Sequence, residues 1–548
     1  CCLSQSVKMG RRGAPPPAMM ISFSRSSAMA APVNKKMNRK HTKVVMRIAF
    51  SFESGFAFLR CFCYLKISPN LKMRQAMKYH IITYGCQMNK SDSERIAGVL
   101  NDCGWQAVDK FNQADLVILN SCSVRQSAED RVYGEVDELA KLKKKNPALM
   151  VAVTGCMPGR DKEGKFKKKM PAVDLYFPIN DLPRLPEMLS EISKLPIPQQ
   201  PPLDYLDTKP SYQNNFSAFV PIQTGCNKFC TYCVVPHARG QEISRSLRAI
   251  LDEVCYLAAK GFVEITLLGQ TVNSYEAPDP ENFSDKNPFF SCHSRESGNP
   301  ATGSPIRSGM TSVATGDRSH FAALLWEVNQ IDGLKRINFT APHPDHMSDE
   351  VIKALTLPKQ INYLHLPVQS GSDNVLAKMN RHYTAVDYLK IIKKIRAVRP
   401  GMALGTDIIV GFPGETKEDF EETVKLYKEA DFDIAFLAKY SPRSGTAAYK
   451  MIDDVTAEEK ERRWWAIQRL MEETTLQKNQ KFVGQTLEVL VSRFRNSAQS
   501  KGKCICIGNS SEMKMVEFAG QVGWVGKIVK VKIEKAEMWR LIGQIVQN

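Results

Sequence analysis

Three cysteines, Cys226, Cys230 and Cys233, stand in "TGCNKFCTYC" with gaps of three and two residues. Thiols on one short loop are metal ligands before they are anything else. A structural zinc site needs four donors, and its usual spacing sets one C-x2-C pair against a second pair further on. No second pair follows. Three thiolates can instead hold a four-iron cluster with one iron left open, and an open iron is a place where a small molecule binds and reacts. The preceding run "FVPIQTG" has the composition of a short strand. The cysteines then lie at a strand's carboxyl end, where α/β proteins bind ligands.

Three more cysteines share a context rather than a spacing: Cys86 in "HIITYGCQMN", Cys122 in "DLVILNSCSV" and Cys156 in "LMVAVTGCMP", 36 and 34 residues apart. Each follows an apolar run of strand length and precedes polar or glycine-rich turn residues. Helical patterns lie between them, "SDSERIAGVLNDCGW" opening on a serine cap. Alternating strands and helices predict a parallel sheet, whose strands share one carboxyl edge, so the three thiols should converge. A buried core cysteine would account for any one of them. Three at equivalent positions point to a second three-thiolate cluster.

The elements that must position the first trio continue downstream. Apolar, β-rich runs end in polar loops at "VEITLLGQTVNSY", "KRINFTAPHP", "INYLHLPVQSG", "GTDIIVGFPGE" and "DIAFLAKYSPRSG", separated by amphipathic stretches such as "KEDFEETVKLYKEA". With the cysteine strand these make six βα units, short of the eight that close a full barrel. Gly269 and Gln270, and Gly411 to Glu415 of "GFPGE", fall at strand ends, where glycine lets backbone approach a ligand. His343, Asp345 and His346 in "APHPDH" could be read as a metal site, but the segment lacks the helical H-E-x-x-H arrangement and reads better as a turn with two prolines.

The cysteine loop resembles the motif of the radical S-adenosylmethionine (SAM) enzymes. The resemblance implies that the amino and carboxylate groups of SAM fill the open iron, that one-electron reduction cleaves the sulfonium to a 5′-deoxyadenosyl radical, and that Tyr232 lies near the adenine. It likewise implies SAM contacts at Gly269, Gln270, Gly411, Gly414 and Glu415. "YGCQMN", "NSCSVRQSAEDRV", "TGC", "GCNKFCTYCVVPHARG", "LHLPVQSGSD" and "DIIVGFPGET", in that order over residues 78–545, resemble the methylthiotransferase family. Its members imply an auxiliary cluster on Cys86, Cys122 and Cys156 that delivers sulfur, and two uses of SAM, one to methylate sulfur and one to make the radical. Two departures stand out. "GCMPG" lacks the alanine-glutamine usual after the third auxiliary cysteine, and Thr271 stands where family members mostly carry asparagine. Neither removes a ligand.

The expected fold class is α/β, with an N-terminal parallel-sheet α/β domain at 78–205, a central partial (β/α)6 radical-SAM barrel at 212–477 and a C-terminal small β-barrel at 478–548. The last is read from five short strands broken by glycine and polar turns, and it resembles the TRAM domain that ends this family. Cys504 and Cys506 alternate on one of its strands and read as packing or surface residues. The chain has 548 residues, 43% of them hydrophobic, and a formal net charge of +18. Residues 1–77 carry +13 and residues 478–548 carry +7, which leaves the 400 residues between at −2. The basic charge thus belongs to the ends, and a basic small barrel fits RNA phosphates.

Residues 1–77 read as a basic leader outside the fold. Their acid-poor, Ser/Arg-rich composition resembles an organelle transit peptide; upstream sequence translated from a misplaced start is the preferred reading, because the first strand begins just after Met77. "IAFSFESGFAFLRCFCYLKI" is interrupted by Glu53 and Arg60 and is not read as a membrane span. Residues 276–319, rich in Ser, Gly and Pro, read as a disordered insertion. Within it "CHSRESGNP" resembles repeats scattered through bacterial genomes, so a bacterial source is expected and Cys292 is read as a bystander.

Three functions compete. The first is methylthiolation of an isopentenylated adenosine next to the tRNA anticodon. The second is the same chemistry on threonylcarbamoyladenosine in tRNA or on a ribosomal protein. The third is a non-catalytic iron-sulfur RNA-binding protein, for which two open clusters would have no use. "YGCQMN" and "CVVPHARG" favour the first. It implies two [4Fe-4S] clusters, SAM, the tRNA anticodon stem-loop and an electron donor such as flavodoxin or ferredoxin. A monomer in the bacterial cytoplasm is expected, or an organelle location if the leader is a transit peptide.

Overall fold

In the computed structural model, the described residues are 76–123, 126–194, 204–290, 319–496 and 504–546. The leader, apart from Ala76 and Met77, and Cys292 lie outside them.

The N-terminal domain is a five-stranded, wholly parallel sheet in the order β2-β1-β3-β4-β5, with β1 Lys78–Thr83, β2 Gln106–Ala107, β3 Leu116–Ser121, β4 Met150–Gly155 and β5 Leu175–Tyr176. The two central strands, "LVILNS" and "MVAVTG", are buried at every position. Such unbroken apolar runs are what a parallel sheet covered on both faces demands. Helix α1 (Gln87–Asp102) follows the first strand and α2 (Gln126–Lys145) the third. The latter buries Val132, Val136 and Leu139 on one stripe and ends on Lys143, Lys144 and Lys145, cations that suit the negative end of a helix.

Six parallel strands make the central domain: β6 Ser217–Pro221, β7 Glu264–Leu268, β8 Arg336–Phe339, β9 Tyr363–His365, β10 Ala403–Val410 and β11 Ile434–Lys439. They pair as β8-β7-β6 and β9-β10-β11, and a single parallel bridge, Ile337 to Gln360, joins the halves. The expected partial barrel of six units is therefore present. Its helices start on Ser246, Ser319, Ser348, Thr384, Thr416 and Thr456, each accepting a backbone N–H three residues on. These side chains satisfy donors that a helix start leaves free.

Residues 276–319 do not behave as one structureless insertion. Phe283 and Phe289 are in the barrel core, and Asn287 donates to the carbonyl of Ala323. The sequence misled because this stretch has aromatics without a period. Its packing is set by single side chains rather than by an element. Residues 291–318 lie outside the described residues.

The C-terminal domain is a closed barrel of five strands in the order β12-β13-β14-β16-β15, where β12 is Thr486–Asn496, β13 Cys504–Ser510, β14 Met515–Gly520, β15 Ile528–Ala536 and β16 Leu541–Ile545. Cys504 and Cys506 are buried in its core. It docks on the amino ends of the central strands. Arg336 donates to the carbonyls of Asn509 and Glu488, the Asn362 N–H donates to Ser511 Oγ, and Asp433 pairs with Lys514 at 3.0 Å. This domain is thus the floor of the barrel. A cavity of about 290 Å³ between them is lined by Tyr363, His365 and Phe436 from the barrel and by Met513, Met515 and Trp539 from the floor.

Candidate active site

The carboxyl edge of the N-terminal sheet gathers the three predicted cysteines. Cys122 and Cys156 directly follow β3 and β4, which pair in register through Ser121 and Gly155. Cys86 caps α1 just beyond the end of β1. All three cysteines are buried, and none is in a disulfide. Gly85 and Gly155 are required here. Both have positive φ, and a Cβ at Gly85 would come within 2.9 Å of Cys122 Cβ while one at Gly155 would meet the Ser121 carbonyl at 2.3 Å.

Between α1 and β3 lies a polar lattice of which the chain shows no periodic sign. Asn89 Nδ2 donates to Asn120 Oδ1 (3.1 Å) and to the Ser121 carbonyl (3.1 Å), while Asn120 Nδ2 returns bonds to the Asn89 carbonyl (2.7 Å) and Ser93 Oγ (2.9 Å). Ser121 Oγ donates to the Thr154 carbonyl at 2.6 Å. Fully bonded buried networks of this kind hold one geometry.

The second trio lies on the loop after β6. Cys226, Cys230 and Cys233 line one small cavity with Gln270, Thr271 and His343. Thr271 Oγ1 is 3.2 Å from Cys226 Sγ, and the buried guanidinium of Arg381 donates to Cys230 Sγ at 3.6 Å and is bonded to His343 Nε2. Burial and the Arg381 cation hold His343 far below the ordinary imidazole range, so it is neutral. His343, Asp345 and His346 form the expected turn, in which His343 Nδ1 accepts the Asp345 N–H. In the sequence His343 reads as a turn residue, with a metal site as the lesser alternative. Its place beside the thiols, like that of Arg381 in "MNRHY", follows from chain crossings that no local pattern signals.

Of the residues expected to touch a cosubstrate, Gln270 lies at the cysteine cavity, with its Oε1 buried and unpartnered. Gly269 packs on Gln223, where a Cβ would come within 2.7 Å of Cγ. Tyr232 packs edge-on against Phe412 of "GFPGE" at 6.5 Å between ring centroids, which brings that loop against the cysteine loop, and its hydroxyl is buried without a partner. Gly411 and Gly414 have φ of 70° and 72° and shape the turn. Glu415 faces Arg463, whose Nη1 donates to its Oε2 at 2.7 Å, and its Oε2 also accepts from the Gly411 N–H. One oxygen, Oε1, has no partner.

The two trios meet across the domain boundary. Helices α3 (Cys156–Arg160) and α4 (Val235–Arg239) cross so closely that a Cβ on Gly159 would stand 2.0 Å from the Ala238 carbonyl. Cys86 packs with Leu268 at the end of β7. Arg239, six residues beyond Cys233, reaches into the other domain, where its Nη2 lies 2.5 Å from Asp92 Oδ2.

The donor set fits iron-sulfur clusters. Burial pushes the Cys156 and Cys226 thiols up, and that of Cys233 up to about 11. A bare thiolate is therefore disfavoured at each, and a bound iron cluster is what would relieve that penalty. Among the described residues, no set of His, Cys, Asp or Glu is closed on a point that would hold one metal ion. A four-iron cluster is wider than an ion, and thiols ringing a cavity suit it better than a zinc tetrahedron. The unpartnered Gln270 and Tyr232 oxygens offer polar contacts to a ligand beside it.

Comparison with known proteins agrees with this division. The chain matches the uncharacterized protein family UPF0004 over residues 78–178, the radical SAM superfamily over 220–427 and the TRAM domain over 480–546. It is 40% identical over 475 residues to the tRNA-2-methylthio-N(6)-dimethylallyladenosine synthase of Clostridium botulinum (strain Okra / Type B1), covering 85% of this chain and 96% of that one. The proteins of the same name from Caldicellulosiruptor saccharolyticus and Anoxybacillus flavithermus are 38% and 39% identical, over 85% and 87% of this chain and 92% and 84% of theirs. The cofactors of this family are SAM and [4Fe-4S] clusters. Two cysteine trios at the carboxyl edges of two parallel sheets whose flanking elements touch, in a chain that aligns with these synthases over 84 to 96% of their length, place it in the tRNA-2-methylthio-N(6)-dimethylallyladenosine synthase family of radical SAM enzymes.

Proposed function

We propose that this chain converts N6-isopentenyladenosine next to the anticodon of tRNA to its 2-methylthio derivative. The observation that carries the reading is the pairing of two separate cysteine trios across one boundary. Cys226, Cys230 and Cys233 hold the cluster that binds SAM, and Cys86, Cys122 and Cys156 hold the auxiliary cluster. When bound, the clusters and SAM supply the radical, the sulfur and the methyl group.

The chain's own residues position and exclude. The Asn89–Asn120 lattice fixes the edge that carries Cys86, Cys122 and Cys156. Thr271 and Arg381 hydrogen-bond sulfurs of the other trio. Gln270 and Tyr232 turn polar atoms toward the place of the cosubstrate. An adenine C–H carries no acidic proton, so radical chemistry rather than a general base is what the reaction needs. The target base belongs to a single-stranded loop, from which it can be splayed without melting a duplex. The floor domain, with exposed Lys527, Lys530 and Lys532, supplies phosphate contacts.

An electron donor of the flavodoxin or ferredoxin kind reduces the SAM-binding cluster, and the protein works as a monomer in the cytoplasm. The ten cysteines among the described residues form no disulfide. No helix among the described residues is long and apolar enough to cross a membrane.

The test is nucleoside mass analysis after incubating the reconstituted protein with SAM, reductant, a sulfur source and tRNA. Prenylated tRNA should gain the 2-methylthio mark while unprenylated tRNA stays unchanged. Methylthiolation of threonylcarbamoyladenosine in its place would move the assignment to the second substrate, and no product from either would remove it.

A further inference from the structure

We infer that Met513 and Met515 of the C-terminal domain determine which modified adenosine the chain accepts, by forming with Trp539 and Phe436 the apolar end of the floor cavity that takes the branched five-carbon N6 substituent. The inference rests on the reading of the substrate as N6-isopentenyladenosine. It makes the small β-barrel part of the substrate pocket as well as a holder of phosphates.

The cavity is placed for this. Gln87, the residue after Cys86, lines it at one end together with Thr340 and Ala341, which follow β8, and Met538 and Trp539 of the floor line the other. A purine that shows carbon 2 to the Cys86 end projects its N6 substituent from another edge of the ring, toward the floor. A volume of about 290 Å³ is at the small end of ligand pockets and suits one base with a short tail.

Two polar atoms at the cavity lack partners. Asn479 is 3% exposed, and its Nδ2 donates to the carbonyls of Glu537 (2.9 Å) and Met538 (3.0 Å). Those bonds fix the amide and leave Oδ1 buried without a partner, as Trp539 Nε1 also is. A buried acceptor left open is costly unless a ligand fills it. An adenosine substituted once at N6 keeps one N6–H, and Asn479 Oδ1 is an acceptor for it.

Met513 sits in the turn between β13 and β14 with a φ of 57°, the left-handed region where glycine is the usual residue. The turn is clamped to the barrel on both sides of it, since Ser511 Oγ accepts the Asn362 N–H at 2.8 Å and Lys514 pairs with Asp433 at 3.0 Å. A long apolar side chain that is 36% exposed, on strained backbone, argues for a use of that side chain. An unbranched thioether adapts its shape to a branched tail.

Charge separates the two candidate tails. The carboxylate, lysine and arginine side chains lining the cavity are Asp433, Glu512, Lys514 and Arg540. Lys514 is taken by Asp433, and Arg540 by Glu517 at 2.8 Å and Glu537 at 2.7 Å. A threonylcarbamoyl tail would bring a carboxylate beside Glu512, with no uncommitted lysine or arginine among the described lining residues to receive it. An isopentenyl tail needs only apolar contact.

The experiment measures binding of three anticodon stem-loop RNAs to the reconstituted full chain, with the target adenosine unmodified, prenylated or threonylcarbamoylated. The parent should prefer the prenylated RNA. Met513→Gly, which suits the turn, should keep its iron and melting temperature and bind unmodified RNA as the parent does. On prenylated RNA it should lose about tenfold, the scale on which apolar pockets discriminate. Met515→Ala should lose in the same direction. A parent-like ratio of prenylated to unmodified affinity in both variants overturns the inference. Equal weakening on the two RNAs overturns it as well, since that is what a merely structural role would give. If one variant fails to fold, the other decides by the same ratio, and failure of both also overturns it. Failure of the substrate reading looks different: the parent itself would then prefer the threonylcarbamoylated RNA or neither modified RNA, and the inference would fall with it.

Discussion

Thr271 Oγ1 lies 3.2 Å from Cys226 Sγ, both side chains being buried at the cysteine cavity. The hydroxyl is thus a sulfur partner within the cysteine cavity. Replacing it by valine removes the bond at nearly constant size. Thr271→Val should leave iron content intact and slow reductive cleavage of SAM to 5′-deoxyadenosine by about tenfold, the worth of one such bond. Thr271→Ser should lie close to the parent. Equal rates for all three would remove Thr271 from the site.

Iron accounting separates the two trios. The intact chain should bind about eight irons, and alanine at Cys226, Cys230 and Cys233 should leave about four and abolish SAM cleavage. Alanine at Cys86, Cys122 and Cys156 should also leave about four, but with cleavage retained and methylthiolation lost. Identical effects from the two triple variants would refute separate clusters.

Glu94 gives the fold a pH dependence of known sign. It is buried, and burial pushes its carboxyl from 4.5 up to about 7, against the Gln213 N–H and the Arg95 cation. Between those values the folded chain holds a proton that the unfolded chain has released. The stabilising contribution is therefore full below about pH 4.5 and lost as pH rises through about 7, by about 3 kcal/mol in all. Glu94→Gln carries no such proton. Urea midpoints taken at pH 5 and pH 7.5 should differ less for the variant than for the parent, and parallel profiles would show the carboxyl to be ionised throughout.

The Glu415–Arg463 pair ties the "GFPGE" loop to helix Ala457–Gln480 in a buried setting. Glu415→Ala leaves the Arg463 cation with Glu459 alone. A loss of about 3 kcal/mol is expected from denaturant unfolding, and a change under about 0.5 kcal/mol would mean that the pair is solvated.

On the floor domain, Lys527, Lys530 and Lys532 are exposed. Replacing all three by alanine should weaken tRNA binding and lower the slope of log K against log salt by about two to three. A slope equal to that of the parent would place the phosphate contacts elsewhere.

Much of this was legible in the chain. Cys86, Cys122 and Cys156 could be brought together because strands of a parallel sheet share an edge, and that needs only the strand–helix order. The six barrel units followed from apolar runs ending in polar loops. What pattern could not supply were partners joined by a single contact between distant segments. Arg239 on Asp92, Arg381 on Cys230 and Asn89 on Asn120 are of this kind. The docking of the C-terminal barrel on the strand starts was likewise hidden, since Arg336, Asn362 and Asp433 look like ordinary turn residues in sequence. Phe283 and Phe289 were misread because their stretch is irregular, although both fill the core.

That irregular stretch has a practical consequence. On one side of residues 291–318 the chain is anchored by Ala277, whose N–H donates to His320 Nδ1, and by Ser284, whose N–H donates to Glu327 Oε1. On the other side it resumes at Ser319, which caps the helix bearing those same partners. Departure and return are thus stapled to one another at the periphery of the barrel wall. Loop closure at such a point grows only slowly more costly with length. The position is a ready-made port for cargo. A fluorescent reporter or an affinity handle spliced there would ride on the helix that Ser319 caps.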